Sequence, residues 1–284
     1  MSIRARLLLL ILFATLVPAL AGVLHFVENR DAEVSDAGRR LATEAGRVAG
    51  ELQDIINGTA QLHYGLSRAR DLDAPERDAC SRFLGDVLKA HPQYTGILTI
   101  NPDGRLYCDS LRTGRDLDLN DRRYFRDVQR ADNPLAVEPA FGRLTGIAVM
   151  QVAYAARSDA GALRFVLLAS VNLEQIMRSR AKTLPLDDAV IALVDSAGTV
   201  LSWQPGGDKL RGTSIADTPL FRFAMAQGDN RVQSEITVGG VPRLWAASAL
   251  PEYPDAGLRV LVGVSRRGLL EEANRNLGRS LLVM

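Results

Sequence analysis

This chain of 284 residues has only two cysteines and three histidines. His25, His63 and His91 fall singly along it, so neither a metal cluster nor a histidine-based triad is indicated. An excess of charge of one sign is also missing. Lys and Arg total 34 against 33 Asp and Glu, a net charge of +1, and no basic stripe with interleaved aromatics stands out, which excludes a nucleic-acid partner. Neither Gly-x-x-x-x-Gly-Lys nor a convincing Gly-x-Gly-x-x-Gly is present, so no phosphate-cradling loop and no cofactor are expected. Gly206-Gly207-Asp208 is followed by Lys209-Leu210 and reads as a turn. Asn57-Gly58-Thr59 matches a glycosylation sequon but sits inside a helical pattern, and is assigned no role. With no nucleophile-base pair or metal set in view, catalysis within these residues is not expected.

The apolar content of 47% with 24% charged residues is that of a folded body, and part of it is concentrated at the N-terminus. Arg4 and Arg6 precede Leu7 to Leu24, eighteen residues without a charge, just long enough to cross a bilayer. The run reads as an uncleaved anchor. The alternative is a cleaved secretory peptide, since Ala19-Leu20-Ala21 before Gly22 fits the small-residue cleavage pattern, but the run exceeds the usual apolar length of such peptides. On either reading the chain after Phe26 is exported, and the cationic flank places the N-terminus in the cytoplasm. At the other end a polar helical stretch, EEANRNLGR, turns apolar at Ser280 to Met284. This reads as the truncated start of a second transmembrane helix; the alternative is an amphipathic tail.

After the anchor, Val34, Leu41, Val48, Ile55 and Leu62 recur every seven residues, with Ala45, Leu52, Thr59 and Leu66 four after those positions, a seam of about four heptads. Such a helix either packs on the rest of its own chain or meets a second copy as a homodimer stalk, although Gly38, Ala45 and Thr59 would make a weak coiled-coil core. Asp73 and Pro75 restart a helix that carries Cys80, Phe83, Leu84, Val87 and Leu88 and stops at His91-Pro92.

The rest of the chain repeats itself. An apolar run meets a four-residue turn closed by glycine twice, at Ile97 to Gly104 (turn Asn101-Pro102-Asp103-Gly104) and at Val190 to Gly198 (turn Asp195-Ser196-Ala197-Gly198). Both turns have the chemistry of a β-hairpin. A second glycine comes after each (Gly114, Gly212), then an aromatic-cationic element, Tyr124-Phe125-Arg126 or Leu220-Phe221-Arg222. Three strand-like runs complete each copy: Leu135 to Ala140, Ile147 to Ala156 and Leu163 to Val171 in the first, and Arg231 to Val238, Pro242 to Leu250 and Leu258 to Ser265 in the second. The duplication implies two tandem α+β units, each a small antiparallel sheet with helices on one face. In an exported chain Cys80 and Cys108 read as a disulfide, two buried thiols being the alternative. The second copy has Ser202 where the first has Cys108.

The stretches INPDGRLYCDS with DRRYFRDV, FGRLTG with LLASVNLEQI, and LPLDDAVIALVDSAGTVLS make the layout similar to the double Cache (dCache) sensor region of bacterial transmembrane receptors, over about Glu28 to Arg267. The resemblance implies an α+β fold: a long helix, then two tandem PAS-like units with antiparallel sheets, flanked by transmembrane helices. Its segments would be 1–27 (cytoplasmic tip and first transmembrane helix), 28–72 (periplasmic stalk helix), 73–184 (membrane-distal unit), 185–267 (membrane-proximal unit) and 268–284 (exit helix and start of the second transmembrane helix). It also implies an inner-membrane protein with residues after about 27 in the periplasm. The distal unit would bind a small molecule and signal to a diguanylate cyclase or histidine kinase module beyond Met284; a chemoreceptor and a secreted ligand-binding protein are the alternatives.

Within that family an amino-acid-binding branch grips the ligand carboxylate with Arg-x-Trp-Tyr/Phe, and Arg122-Arg123-Tyr124-Phe125 is similar to it. A guanidinium suits a carboxylate because two parallel charge-assisted hydrogen bonds can form. The branch also has a tyrosine where this chain has Leu117, and an aspartate for the ligand ammonium where it has Ser170 or a neighbour. The resemblance therefore implies a carboxylate or other anion lacking an ammonium group. Arg122 is the expected anchor, with Tyr107, Tyr124, Phe141, Thr145, Gln151 and Ser170 as candidate walls. The alternatives are a surface ion pair of Arg122 with Asp121 or Asp118 and core packing for Tyr124 and Phe125.

Overall fold

The computed structural model describes residues 35–69, 72, 76–130, 134–186, 188–226 and 236–265, with backbone alone for 3–34 and 231–235. One helix, α1 (Ile3–Leu66), is followed by α2 (Arg77–Ala90) and then by two five-stranded antiparallel sheets. The first contains β1 (Tyr94–Ile100), β2 (Leu106–Asp109), β3 (Leu135–Phe141), β4 (Ala148–Arg157) and β5 (Leu163–Asn172), in the order β2-β1-β5-β4-β3, with α3 (Arg123–Arg130) between β2 and β3. After α4 (Leu173–Thr183) the second sheet repeats the plan. It contains β6 (Ala189–Asp195), β7 (Val200–Gln204), β8 (Arg231–Val238), β9 (Val241–Ala249) and β10 (Leu258–Ser265), ordered β7-β6-β10-β9-β8, with α5 (Pro219–Met225) between β7 and β8. The expected membrane span Leu7 to Leu24 lies where only backbone is described, and the apolar turn at 280–284 lies outside the described residues. Among the described residues no helix is long and apolar enough to cross a membrane.

The turns form as their residues dictate. Gly104 N–H donates to the Asn101 carbonyl at 2.9 Å and Gly198 N–H to the Asp195 carbonyl at 3.0 Å, and in each hairpin one extra residue bulges the second strand, shifting register at Thr99/Ile100 and at Leu193/Val194. Asn172 caps α4 by accepting from Gln175 N–H, and Thr218 caps α5 by accepting from Phe221 N–H with Pro219 at the first helical position.

Helices cover both faces of each sheet, not one. The strands carry nearly continuous apolar runs, as in β4, AVMQVAYAAR, with its first six residues buried, and a strand of that kind needs cover on both sides. One face of each sheet lies against α1, joined on the first sheet by α2. The opposite faces are separate cores, closed by α3 on the first sheet and by α5 on the second.

The seam of α1 is used inside the chain. Leu41, Ala45, Val48, Leu52, Ile56, Thr59, His63 and Leu66 are buried, whereas Ile55 and Leu62 are only partly so. The buried line thus slides from 55 to 56 and from 62 to 63, the drift of a straight 3.6-residue helix past a strict heptad. A second copy would have to meet the opposite face of α1.

Polar ties fix the rod in place. Tyr94 Oη lies 2.9 Å from Thr59 Oγ1, which itself donates to the Ile55 carbonyl. Asn57 of the sequon accepts from Tyr253 Oη at 2.7 Å and donates to Glu252, while Gln53 accepts from Glu252 N–H. Cys80 and Cys108 are disulfide-bonded across a sequence separation of 28, with Cα atoms 6.0 Å apart, pinning α2 to β2.

Two outcomes are expected. Reducing the disulfide, or replacing both cysteines with serine, lowers the unfolding free energy by about 3–4 kcal/mol from loop entropy alone; denaturant titration with and without reductant measures this, and an unchanged midpoint contradicts it. His63 has no exposed surface and, among the described residues, no hydrogen-bond partner for either ring nitrogen, and burial depresses its pKa to about 3. The folded form therefore keeps the imidazole neutral while the unfolded chain takes up a proton below about pH 6.5, so stability falls as pH drops from 6.5 toward 3. Between pH 7 and pH 4.5 this amounts to on the order of 2 kcal/mol. His63→Leu is expected to flatten that slope in paired thermal melts; parallel slopes would show the imidazole is not held neutral.

Candidate functional site

Between the first sheet and α3 lies a cavity lined by Thr95, Gly96, Leu98, Leu111, Leu117, Leu119, Arg122, Tyr124, Gly142, Arg143, Leu144, Thr145, Gln151, Leu168 and Ser170. Its volume is about 30 Å³. The inner void is room for about one water. The sheet supplies the floor, through alternate residues of β1, β4 and β5. The walls are two loops, 110–122 before α3 and 142–147 after β3.

Of the residues expected to line a pocket, Arg122, Tyr124, Thr145, Gln151 and Ser170 are brought together here. Tyr107 and Phe141 are not. The bulge in β2 pairs Leu106, not Tyr107, with Ile100; Leu106 therefore takes the place on the α3 face, and Tyr107 turns to the helix-covered core. Phe141 shares the parity of Leu135 and Val137 on β3, and all three pack against the α1 side of the sheet. Arg143, within FGRLTG, lines the cavity although sequence reasoning passes over it. Its signal is its place two residues after Phe141, on the loop that carries Thr145.

Arg122 stands immediately before α3. The carboxylates expected to compete for it are engaged elsewhere. Asp121 pairs with Arg143, whose guanidinium also donates to the Asp118 carbonyl. The Asp118 carboxylate accepts from the backbone and side-chain amides of Asn120, which hold its pKa below the usual carboxylate range. Among the described residues no acceptor meets the Arg122 guanidinium. Tyr124 is buried, its backbone N–H donating to the Glu138 carboxylate at 2.8 Å, and burial raises its phenol pKa while the Arg122 charge acts in the opposite direction. At the floor, Ser170 Oγ donates to Gln151 Oε1 at 2.7 Å. A side chain at Gly142 would place a Cβ 2.8 Å from Thr145 Oγ1, so only glycine leaves that hydroxyl where it stands. No carboxylate lines the cavity, and among the described residues no group of His, Cys, Asp and Glu is arranged to hold a metal ion.

The second unit shows what the same place looks like when filled. Register maps Ser170 onto Gly263 and Gln151 onto Trp245, because Gln151 opposes Ser170 across β4–β5 as Trp245 opposes Gly263 across β9–β10. Trp245 is fully buried and stacks edge-on with Trp203 at 5.5 Å. A Cβ at position 263 would come 2.6 Å from its ring. The indole occupies the volume that stays open in the first unit.

Arg123, between the two pocket residues Arg122 and Tyr124, reaches the other way. Its guanidinium donates to the Asp255 carbonyl at 3.0 Å and to the Ala256 carbonyl at 3.4 Å, in the short 3-10 turn Pro254–Ala256 that leads into β10. Arg123→Ala is expected to cost about 1 kcal/mol, a half-exposed charge-assisted bond, and to speed amide exchange at 254–258; unchanged exchange there would contradict the contact.

No family model and no curated protein matches this sequence. Solved structures do share its fold. The extracellular domain of a protein assigned as a histidine kinase, rpHK1S-Z16, is 21% identical with a TM-score of 0.67, covering 83% of this chain and 97% of that one. The ligand-binding domain of the Pseudomonas fluorescens chemoreceptor CtaA, solved with L-isoleucine, is 19% identical with a TM-score of 0.61, covering 86% and 98%. That of the Campylobacter jejuni chemoreceptor Tlp3, solved with 4-methylisoleucine, is 13% identical with a TM-score of 0.61, covering 84% and 94%. The chain has the tandem PAS-like, double Cache fold of such sensor domains.

Proposed function

We propose that this chain is the extracytoplasmic sensory region of a bacterial membrane receptor, and that its first unit binds a small carboxylate. The observation that carries the ligand class is the Arg122 guanidinium, which borders the cavity with no acceptor among the described residues and with its neighbouring carboxylates held by Arg143 and Asn120. An unpartnered guanidinium beside a partly apolar void is ready for a bidentate carboxylate. The fold shared with receptor sensor domains supports the sensory role. The second unit is the less suitable holder, because Trp245 fills the equivalent space.

A void of about 30 Å³ does not hold a ligand of several heavy atoms. Binding on this reading parts the two wall loops, which Arg143 ties together through Asp118 and Asp121. The ligand then shifts the receptor only by its difference in affinity for the parted and closed states. The region after Phe26 lies in the periplasm, and the signal passes through the helices entering and leaving the membrane to a cytoplasmic diguanylate cyclase or histidine kinase module.

Thermal unfolding of the chain against small mono- and dicarboxylates, amines, purines and amino acids tests this. A ligand at a hundred times its dissociation constant adds about 2.7 kcal/mol. One or more carboxylates should raise the midpoint and Arg122→Ala should abolish the rise while leaving the ligand-free midpoint within a few degrees. A shift by amines or purines alone, or one that survives Arg122→Ala, would overturn the carboxylate assignment.

A further inference from the structure

We infer that Gln151 selects the far end of the ligand: the cavity takes a small carboxylate carrying a second hydrogen-bond acceptor, a keto or hydroxyl oxygen, and excludes the amino acid of the same size. This rests on the carboxylate reading above and adds to it the group opposite the carboxylate.

The polar groups of the cavity are sorted by what they have left to offer. Ser170 Oγ donates to Gln151 Oε1 at 2.7 Å, and the Ser170 carbonyl already accepts from Thr95 Oγ1. The amide oxygen of Gln151 is thereby engaged, and its two N–H groups have no acceptor among the described residues although the residue is only 5% exposed. A carboxamide offers two donors and one acceptor, so what Gln151 turns to the void is a donor. Arg122 presents only donors as well. Thr145 Oγ1 accepts from Ile147 N–H, leaving its proton free. The carboxylates nearest the site stand outside the cavity lining: Glu138, opposite Gln151 on β3, accepts from Tyr124 N–H, and Asp121 pairs with Arg143. A ligand ammonium would therefore meet donors with no carboxylate in the cavity lining, whereas a keto or hydroxyl oxygen gives the free N–H groups of Gln151 an acceptor.

The duplicated unit shows independently that this position controls occupancy. Its register partner is Trp245, opposite Gly263, and the indole there fills the space the first unit leaves open. The side chain at this place on β4 lines the open cavity, and its counterpart on β9 is buried in the core of the second unit.

The test uses four probes of closely similar size: pyruvate, L-lactate, propionate and L-alanine. Their affinities for the whole chain are measured by calorimetry or by midpoint shift, beside Gln151→Leu, Gln151→Glu and Arg122→Ala. The wild type is expected to prefer pyruvate or lactate to propionate by about three- to tenfold, the range of one neutral hydrogen bond, and to bind L-alanine more weakly than either. Gln151→Leu should bring pyruvate and propionate to parity. Gln151→Glu should reverse the order, weakening pyruvate at least tenfold and admitting L-alanine, because a carboxylate then stands where the ammonium falls. Equal preference in the wild type and Gln151→Leu would overturn the role of Gln151, as would L-alanine binding the wild type as tightly as pyruvate. If carboxylates bind and Arg122→Ala removes them while the Gln151 variants change nothing, only this inference fails. If none of the four binds, it fails for want of a ligand of this class and size, and the wider panel above decides the carboxylate reading.

Discussion

The structure depends on one apolar stripe being shared. Each sheet is buried on both faces, and a five-stranded sheet of about 80 residues with its connections cannot cover both with its own short helices. α1 supplies the missing layer for both sheets at once: its residues from Leu41 to Leu66 sit in the same core as Met150, Leu167, Val260 and Val262. The two sheets are therefore laid along a common rod, and the drift of its buried line at 3.6 residues per turn reflects packing on sheets, where a supercoiled pair would have kept a 3.5 repeat.

Within that frame one pair of positions sets the two units' interiors apart. Gln151 and Ser170 hydrogen-bond across β4 and β5 beside a void; Trp245 and Gly263 face each other across β9 and β10, and the indole leaves no room for a methyl group at Gly263. The large residue needs the small partner, since Gly263 has no room for a methyl group beside the ring. A stable core and a ligand cavity are thus alternative uses of one backbone plan, chosen by which strand position carries bulk.

The fold is largely legible in the sequence because its signals are local. Turn glycines, period-two runs and the repeat of the hairpin define the strands, the last three of each unit to within a residue or two and β1 three residues short at its start, and an exported pair of cysteines defines the disulfide. The features that escape a sequence reading are set by neighbours distant along the chain. The bulge at Thr99/Ile100 depends on how β2 closes on β1, and it exchanges Tyr107 for Leu106 on the cavity side. Proximity to FGRLTG suggests Phe141 for the site, whereas strand parity sends it to the other face. Arg143 enters the site through a loop whose path no periodicity describes. Helices on both faces are signalled by the nearly continuous apolar runs of strands such as β4, which a period-two reading passes over.

The contact of Arg123 with the turn at Pro254–Ala256 has a thermodynamic corollary. Coupling free energies are reciprocal: if occupancy beside Arg122 biases the position of that turn, then whatever restrains the turn biases affinity beside Arg122 by the same factor. β10 begins at Leu258, directly after the turn, and runs to Ser265. Any load carried along β10, whether from a neighbouring protein or from the surroundings of the chain beyond it, would then retune the cavity's threshold in proportion. Affinity at the cavity would then depend on what is attached at the far end of β10.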